Sequence, residues 1–382
     1  MRRNCLEARL ARGPGPERGQ SVEALDTPAA LVDLDRVERN ISNWQSWMDR
    51  HNVRFRPHVK THKVPEIALL QMAAGACGIT CAKVSEAEPF AAAGIRDICI
   101  AYPVFGEVKW KRIAELARQG VRVTINCDHV AAAKGLSNAA QSVGVTIYLH
   151  IDVDSGLHRG GIPANDTKSI QRLARDIQKL PGVEFNGITT YRGHAYENAS
   201  DPQEAGHEEA RLLVEVAENL RAAGIVVPNV TAGSTPTGKY VAEVPGITEV
   251  RAGTYVFNDL MQVSIGSASE DGLALSVLCT VTSLGQNGRV TVDGGSKTFS
   301  GDVPQSADRL PIARAVDLPI FLERLSEEHG VGRTERPVEL GSKLRFFPYH
   351  ACTCVNMSDK IVGIRNDRVE VVWPVKARGR RA

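Results

Sequence analysis

Through the middle of the chain, short apolar and β-branched runs alternate with longer stretches whose apolar positions recur every three to four residues. Val53–His58, Gly78–Ala82, Asp97–Tyr102, Val121–Asn126, Val145–Val153, Phe185–Tyr191, Asn229–Gly233 and Ile247–Gly253 read as strands. Val64–Ala74, Glu86–Ala93, Lys109–Gln119, Asp166–Lys179 and Glu208–Ala223 read as amphipathic helices between them. Strands that alternate with helices pair in parallel through crossovers. Eight such units predict an α/β fold, a closed (β/α)8 barrel of the TIM type. An open doubly wound sheet is the alternative. It is weakened because no Gly-rich dinucleotide fingerprint opens the first crossover.

Beyond about residue 265 the pattern becomes mostly strand. Val277–Ser283, Arg289–Asp293, Lys343–Phe347, Lys360–Arg365 and Val369–Trp373 are separated by turn residues such as Gln286-Asn287-Gly288, and Asn-Gly is a strong hairpin signal. Only Leu318–Glu328 has helical spacing among them. The expected organisation is a mobile tail over 1–24 and a strand within 25–35 that joins the C-terminal β domain. The barrel then occupies 36–264, and a mostly antiparallel β domain 265–382.

Composition narrows the class. Over 382 residues, 46 Lys and Arg balance 44 Asp and Glu, for a net charge of +2, which argues against a nucleic-acid or membrane-surface partner. There is no apolar run long enough to span a membrane. The 8 cysteines are scattered rather than arranged as a disulfide framework, which suggests a reducing, cytoplasmic setting. The Gly-, Pro- and Arg-rich start lacks a signal-peptide core.

In a parallel barrel the chemistry gathers where strands end. Five segments there, or in the β domain, carry chemistry-bearing residues. Arg56-Pro57-His58-Val59-Lys60-Thr61-His62-Lys63 ends the first barrel strand. A lysine in a partly desolvated pocket beside other cations has its amine freed for Schiff-base chemistry, and a solvated basic loop is the competing reading. Thr231–Gly238 leaves backbone N–H groups open to an anion, and Arg251-Ala252-Gly253-Thr254-Tyr255 completes such a cup. Asp152–Gly161 holds Arg159 in a Gly-rich loop, where its planar fork can meet a ring, phosphate or carboxylate with Asp152 and Asp154 orienting it. In Tyr191–Tyr196, His194 is a general-base candidate, since an imidazole titrates near ~6.5. In Pro348–Cys354, His350 and Cys352 share one face of an extended segment and suit zinc or another borderline metal, with Cys354 a third ligand or a bystander. Each segment also has a plain structural reading.

In order along the chain, these motifs resemble the D-threonine aldolase and D-serine dehydratase family, pyridoxal-phosphate enzymes of the alanine-racemase fold. The resemblance rests on Arg-Pro-His-x-Lys-Thr-His-Lys at 56–63, Lys83-Val84-Ser85-Glu86-Ala87 and Asp-x-Asp-x-Gly-x-x-Arg-x-Gly at 152–161. It continues with Gly-His-Ala-Tyr at 193–196, Asp293-Gly294-Gly295-Ser296-Lys297, and His-x-Cys at 350–352 followed by Val355-Asn356.

The resemblance implies that Lys60 carries pyridoxal 5'-phosphate. It implies that Gly233, Ser234, Thr235, Gly253 and Thr254 hold the phosphate, and that His58, Arg159 and Tyr191 contact cofactor or substrate. It also implies that His350 and Cys352 bind a divalent metal (Zn²⁺ ahead of Mn²⁺ or Mg²⁺) and that His194 is the base near the substrate's β-hydroxyl. It further implies a homodimer acting on a small β-hydroxy-D-amino acid, with no nucleic acid or membrane involved. Retro-aldol cleavage to glycine and an aldehyde is the leading expectation. D-serine or D-3-hydroxyaspartate dehydration to a 2-oxo acid and ammonia is close behind: dehydratases of the family carry His-x-Cys and its aldolases His-x-Asp, but other bacterial relatives grouped with the aldolases also carry a cysteine here, so the motif leaves the two reactions close. Racemisation and a non-catalytic pyridoxal-phosphate carrier are the remaining alternatives. A carrier resembles the barrel alone.

Overall fold

The computed structural model describes residues 16–193, 201–302 and 311–382. After β1 (Ala29–Asp33), a second sheet is built from β2 (Arg54–Phe55), β3 (Ile79–Cys81), β4 (Asp97–Pro103), β5 (Arg122–Cys127), β6 (Ile147–Asp154), β8 (Val183–Thr190), β9 (Val230–Ala232) and β10 (Glu249–Val250). A short strand, β7 (Ile162–Pro163), pairs with β6 off this path. The parallel strands run in the order β2-β10-β9-β8-β6-β5-β4-β3. A parallel bridge between His58 and Thr80 joins the two ends. There Val59 N–H donates to the Thr80 carbonyl at 2.9 Å and Thr80 N–H donates to the Pro57 carbonyl at 2.8 Å. The ring is the expected (β/α)8 barrel.

Around it lie α1 (Leu34–Arg50), α2 (Pro65–Ala73), α3 (Val84–Ala92), α4 (Glu107–Arg118), α5 (Val130–Val143), α6 (Thr167–Gln178) and α7 (Pro202–Ala222), with a short helix Gly238–Ala242 between β9 and β10. The first shows how sequence sets them. Asp33 caps its N-terminus by accepting from Arg36 N–H at 3.0 Å. Leu34, Val37, Ile41, Trp44 and Met48 then recur at alternating spacings of three and four and are buried together. Such strands are covered on both faces, so Ile98, Cys99 and Ile100 are all fully buried. At the N-terminal end of the ring, Arg56 pairs with Glu249 at 2.9 Å and with Asp97 at 2.6 Å.

The other sheet joins β1 to β11 (Leu275–Leu284), β12 (Arg289–Val292), β13 (Ala313–Ala315), β14 (Phe321–Leu325), β15 (Gly330–Arg333), β16 (Lys343–Pro348), β17 (Lys360–Arg365) and β18 (Arg368–Pro374). β11 pairs with both β16 and β12, which closes β12-β15-β14-β13-β16-β11 into a six-stranded ring, and β1, β17 and β18 extend from β11. β1 lies antiparallel to β11 and parallel to β17.

Two expectations change here. Leu318–Glu328, with its helical spacing, contains strand β14 instead, because pairing on both sides with β13 and β15 overrides local periodicity. Residues 16–24, expected within a mobile tail, pack on β18. Ser21 bridges Arg368, and Val22 and Leu25 are buried with Ile364 and Val369. Among the described residues no helix is long and apolar enough to cross a membrane.

Candidate active site

The C-terminal ends of the barrel strands surround a cavity of about 590 Å³ lined by His58, Lys60, Arg159, Tyr191, Gly233, Ser234, Thr235, Gly253 and Thr254. Nine of the expected site residues therefore meet in one cavity. His194 lies outside the described residues.

Lys60 is positioned by ring closure. The segment before it is bracketed by β10 and β3: Arg56 N–H donates to Val250 O and His58 N–H to Ala252 O, each at 2.9 Å, while Val59 N–H donates to Thr80 O at 2.9 Å. Lys60 N–H donates to His58 Nδ1 at 3.3 Å. Burial, then the charges of Lys60 and Arg251, push the His58 imidazole well below its ordinary range. Across the cavity the Lys60 ammonium is 6.0 Å from the Tyr191 ring centre, and the Arg159 guanidinium is 5.0 Å from the same ring.

The anion cup follows β9 and β10. Gly233 has φ +89°, which favours glycine. A Cβ on Gly253 would sit 2.7 Å from the His58 carbonyl oxygen, so only glycine lets the cup approach the Lys60 strand. Tyr255 N–H donates to Thr235 Oγ1 at 3.1 Å, tying the two halves of the cup together. Among the described residues the backbone N–H groups of Thr235 and Thr254 donate to no protein acceptor and are free for an anion.

Behind the cup stands Glu209 of α7, fully buried, which sequence reasoning missed. It accepts from Gly233 N–H at 3.2 Å, Thr237 Oγ1 at 2.9 Å and Arg192 N–H at 3.2 Å. Burial raises its carboxyl above the ordinary value against the pull of these donors. One carboxylate thus fixes both the cup and the loop that follows Tyr191. Its sequence position, near the start of an amphipathic run, gives no sign of this.

Of the two carboxylates, Asp152 feels the charge of Arg159, after that of Arg251, whereas Asp154 is engaged in its own turn. Asp154 accepts from Gly156 N–H and His158 N–H, each at 3.0 Å, and meets His158 Nδ1 at 2.8 Å. Asp152 faces Arg251, and burial pushes its carboxyl up to about 6. Arg251 donates to Thr190 O at 2.9 Å, while its Nε is buried with no partner among the described residues.

His350 and Cys352 come from the other sheet, yet they lie against the Lys60 loop. Cys352 Sγ is 3.2 Å from Thr61 Oγ1 and 3.8 Å from Thr254 Oγ1. The segment is not extended as expected. His350 is the N-cap of a helix, Ala351–Met357, so the two-residue face argument fails beyond Cys352. Cys354 turns into the core, and burial pushes its thiol up to about 12. The helix start is held by Asp259, which accepts from Ala351 N–H at 2.9 Å. Asp302 Oδ2 meets His350 Nδ1 at 2.6 Å, leaving the other ring nitrogen toward Cys352. Burial opposes the charge on both groups, but imidazolium and thiolate stabilise one another. His350 is thereby raised, and Cys352 is lowered with help from Lys60 and Thr61. A carboxylate–His pair beside a thiolate-prone cysteine fits a borderline divalent metal. Among the described residues no third His, Cys, Asp or Glu completes a cluster with them.

The model of the alanine racemase N-terminal domain matches residues 32–260, and that of a serine dehydratase domain matches 274–364. The D-threonine aldolase of Arthrobacter sp. is 35% identical over 380 residues, 97% of each chain. The chain belongs to the D-threonine aldolase and D-serine dehydratase family. Another relative in this family is the D-threo-3-hydroxyaspartate dehydratase of Delftia sp. HT23, 38% identical over 348 residues, 86% of this chain and 91% of that one. A cysteine-to-alanine variant of a D-threo-3-hydroxyaspartate dehydratase in its metal-free form superposes with TM-score 0.86 at 34% identity, covering 93% of this chain and 98% of that one. The D-threonine aldolase of Filomicrobium marinum superposes with TM-score 0.87 at 31% identity over 96% and 99% of the two chains. The family's two activities thus share one architecture.

Proposed function

We propose that this chain is a pyridoxal-phosphate- and metal-dependent lyase of β-hydroxy-D-amino acids, and that it dehydrates them to a 2-oxo acid and ammonia. The single observation that carries the dehydratase reading is that a thiol, Cys352, rather than a carboxylate interacts with His350, with Thr61 holding it against the Lys60 loop. A thiolate and an imidazole suit a zinc-like ion. The likeness to a D-threo-3-hydroxyaspartate dehydratase whose cysteine-to-alanine variant has a metal-free form supports the same reading.

The residues present fit the cofactor. The free N–H groups of Thr235 and Thr254 and the Gly253 cradle suit a phosphate, with Lys60 beside them on the neighbouring strand end. When bound, pyridoxal phosphate supplies an electron sink for charge developing at the substrate's α-carbon. His350 and Cys352 would hold a divalent ion, which would supply Lewis acidity toward the substrate's hydroxyl. The Lys60 amine takes the α-proton. Tyr191 and Arg159 flank the reacting face, and Glu209 keeps the cup rigid so that the substrate is presented in one orientation.

Retro-aldol cleavage is the second reading, favoured by the full-length likeness to the Arthrobacter aldolase. It uses His194 on the β-hydroxyl in place of Lys60 on the α-proton. Product analysis with D-serine, D-threonine and D-threo-3-hydroxyaspartate tests the choice. A 2-oxo acid with ammonia supports dehydration. Glycine with an aldehyde replaces it by the aldolase reading. The proposal includes a cytoplasmic homodimer, for which sedimentation equilibrium is the test of assembly.

A further inference from the structure

The cavity has a second place for an anion, away from the cup. Lys83 follows β3 and Tyr102 lies in β4, and both line the cavity. In the ring order β4 stands opposite β9, the strand that leads into Gly233–Thr235. The Lys83 ammonium sits 4.1 Å from the Tyr102 ring centre. A cation held on an aromatic face keeps its position without a counter-charge.

Among the described residues Lys83 makes no ion pair, although acidic groups line the same cavity. Those carboxylates are engaged elsewhere. Asp128 accepts from Gly161 N–H at 3.2 Å, Asp154 is held by the 156–158 turn, and Asp152 faces Arg251. The other lining cations belong to different sectors. Lys60 and Arg159 face Tyr191, and Arg251 is bonded to Thr190. Lys83 is the cation of the β3–β4 wall, one strand end from Lys60, where an amino-acid substrate must lie.

We infer that Lys83, positioned by the Tyr102 ring, binds a carboxylate of the substrate. The inference rests on the lyase reading for the identity of that substrate. A carboxylate here has two sources: the α-carboxylate that every amino acid carries, or the side-chain carboxylate of a 3-hydroxyaspartate.

The experiment compares wild-type holoenzyme with Lys83→Met, Lys83→Arg, Tyr102→Phe and Tyr102→Leu. It measures kcat and KM for D-threonine and D-threo-3-hydroxyaspartate, and Kd for D-alanine and D-aspartate, which lack the β-hydroxyl. Lys83→Met should raise KM and Kd by about 10- to 100-fold with kcat largely kept, the worth of one charge-assisted hydrogen bond. A rise for all four compounds assigns the α-carboxylate. A rise confined to 3-hydroxyaspartate and D-aspartate assigns the side-chain carboxylate. Lys83→Arg and Tyr102→Phe should stay near wild type, while Tyr102→Leu should follow Lys83→Met. If Lys83→Met leaves every KM and Kd within twofold, the inference is overturned. If wild type turns over neither substrate yet Kd weakens in Lys83→Met, the carboxylate site stands and the lyase reading fails.

Discussion

Thr61 Oγ1 lies 3.2 Å from Cys352 Sγ, across 291 positions of sequence. Thr61 follows Lys60, just beyond the His58–Thr80 bridge that closes the barrel, and Cys352 lies in the first turn of a helix that follows a strand of the other sheet. That one contact joins the two halves of the proposed chemistry, so a change at either end is expected to be felt at the other.

Replacing Lys60 tests the attachment of the cofactor. Lys60→Ala should shift the absorbance of bound pyridoxal phosphate to that of the free aldehyde. It should also lower turnover by about 10²- to 10⁴-fold, the range of a lost proton-transfer group. An unchanged spectrum would put the attachment at another lysine.

The metal pair predicts a graded response. Cys352→Ala should lose stoichiometric metal and activity together. Asp302→Asn, which alters only the partner of His350 Nδ1, should weaken metal affinity by about 10- to 100-fold. Metal content by mass spectrometry and titration with a chelator read both. Full activity in excess chelator would remove the metal from the reaction.

The cup should be sensitive to one methyl group. In Gly253→Ala the new Cβ would meet the His58 carbonyl at 2.7 Å, a backbone atom that moves only if the Lys60 strand moves. A loss of about 1–3 kcal/mol in stability is expected from such overpacking, with weaker pyridoxal-phosphate binding by the apoenzyme. Unchanged cofactor affinity would place the phosphate elsewhere.

Glu209→Ala should leave Gly233 N–H and Thr237 Oγ1 without their acceptor. Each buried donor left unsatisfied costs about 1–3 kcal/mol. Thermal unfolding and cofactor titration should both weaken. Wild-type values for both would show that water replaces the carboxylate.

Acid should unfold the barrel through its buried histidines. Burial holds His62 and His150 at about 3, against an ordinary value of 6.5. Between those limits the unfolded chain binds protons that the folded chain does not. Stability therefore rises with pH across this window and is lost as pH falls from about 6.5 towards 3. His150→Asn should flatten the plot of unfolding free energy against pH in that range, measured by urea denaturation. An unaltered slope would assign the acid sensitivity to other groups.

Local periodicity carried most of the barrel. Each of its eight strands overlaps the run expected for it, because a strand buried on both faces must be β-branched and apolar along its length. The same reasoning failed at Leu318–Glu328, where the partners of β14 decide its conformation. Lys60, Gly233 and Gly253 were legible because a reactive lysine and tight backbone approaches restrict residue type locally. Glu209, Asp302 and Asp259 were not, because a carboxylate on a helix or loop looks alike whether it meets water or a buried donor.

The sequence by itself determined the order of strands and helices, the lysine at the first strand end, the glycine-rich cup and the His-x-Cys pair. Tertiary structure alone decided that Cys352 meets Thr61 while Cys354 turns into the core, that one buried carboxylate holds the cup, and that Lys83 has no ion-pair partner among the described residues. Composition and spacing act over a few residues. Which polar groups find partners is settled only when barrel closure and the second sheet bring distant segments within hydrogen-bonding distance.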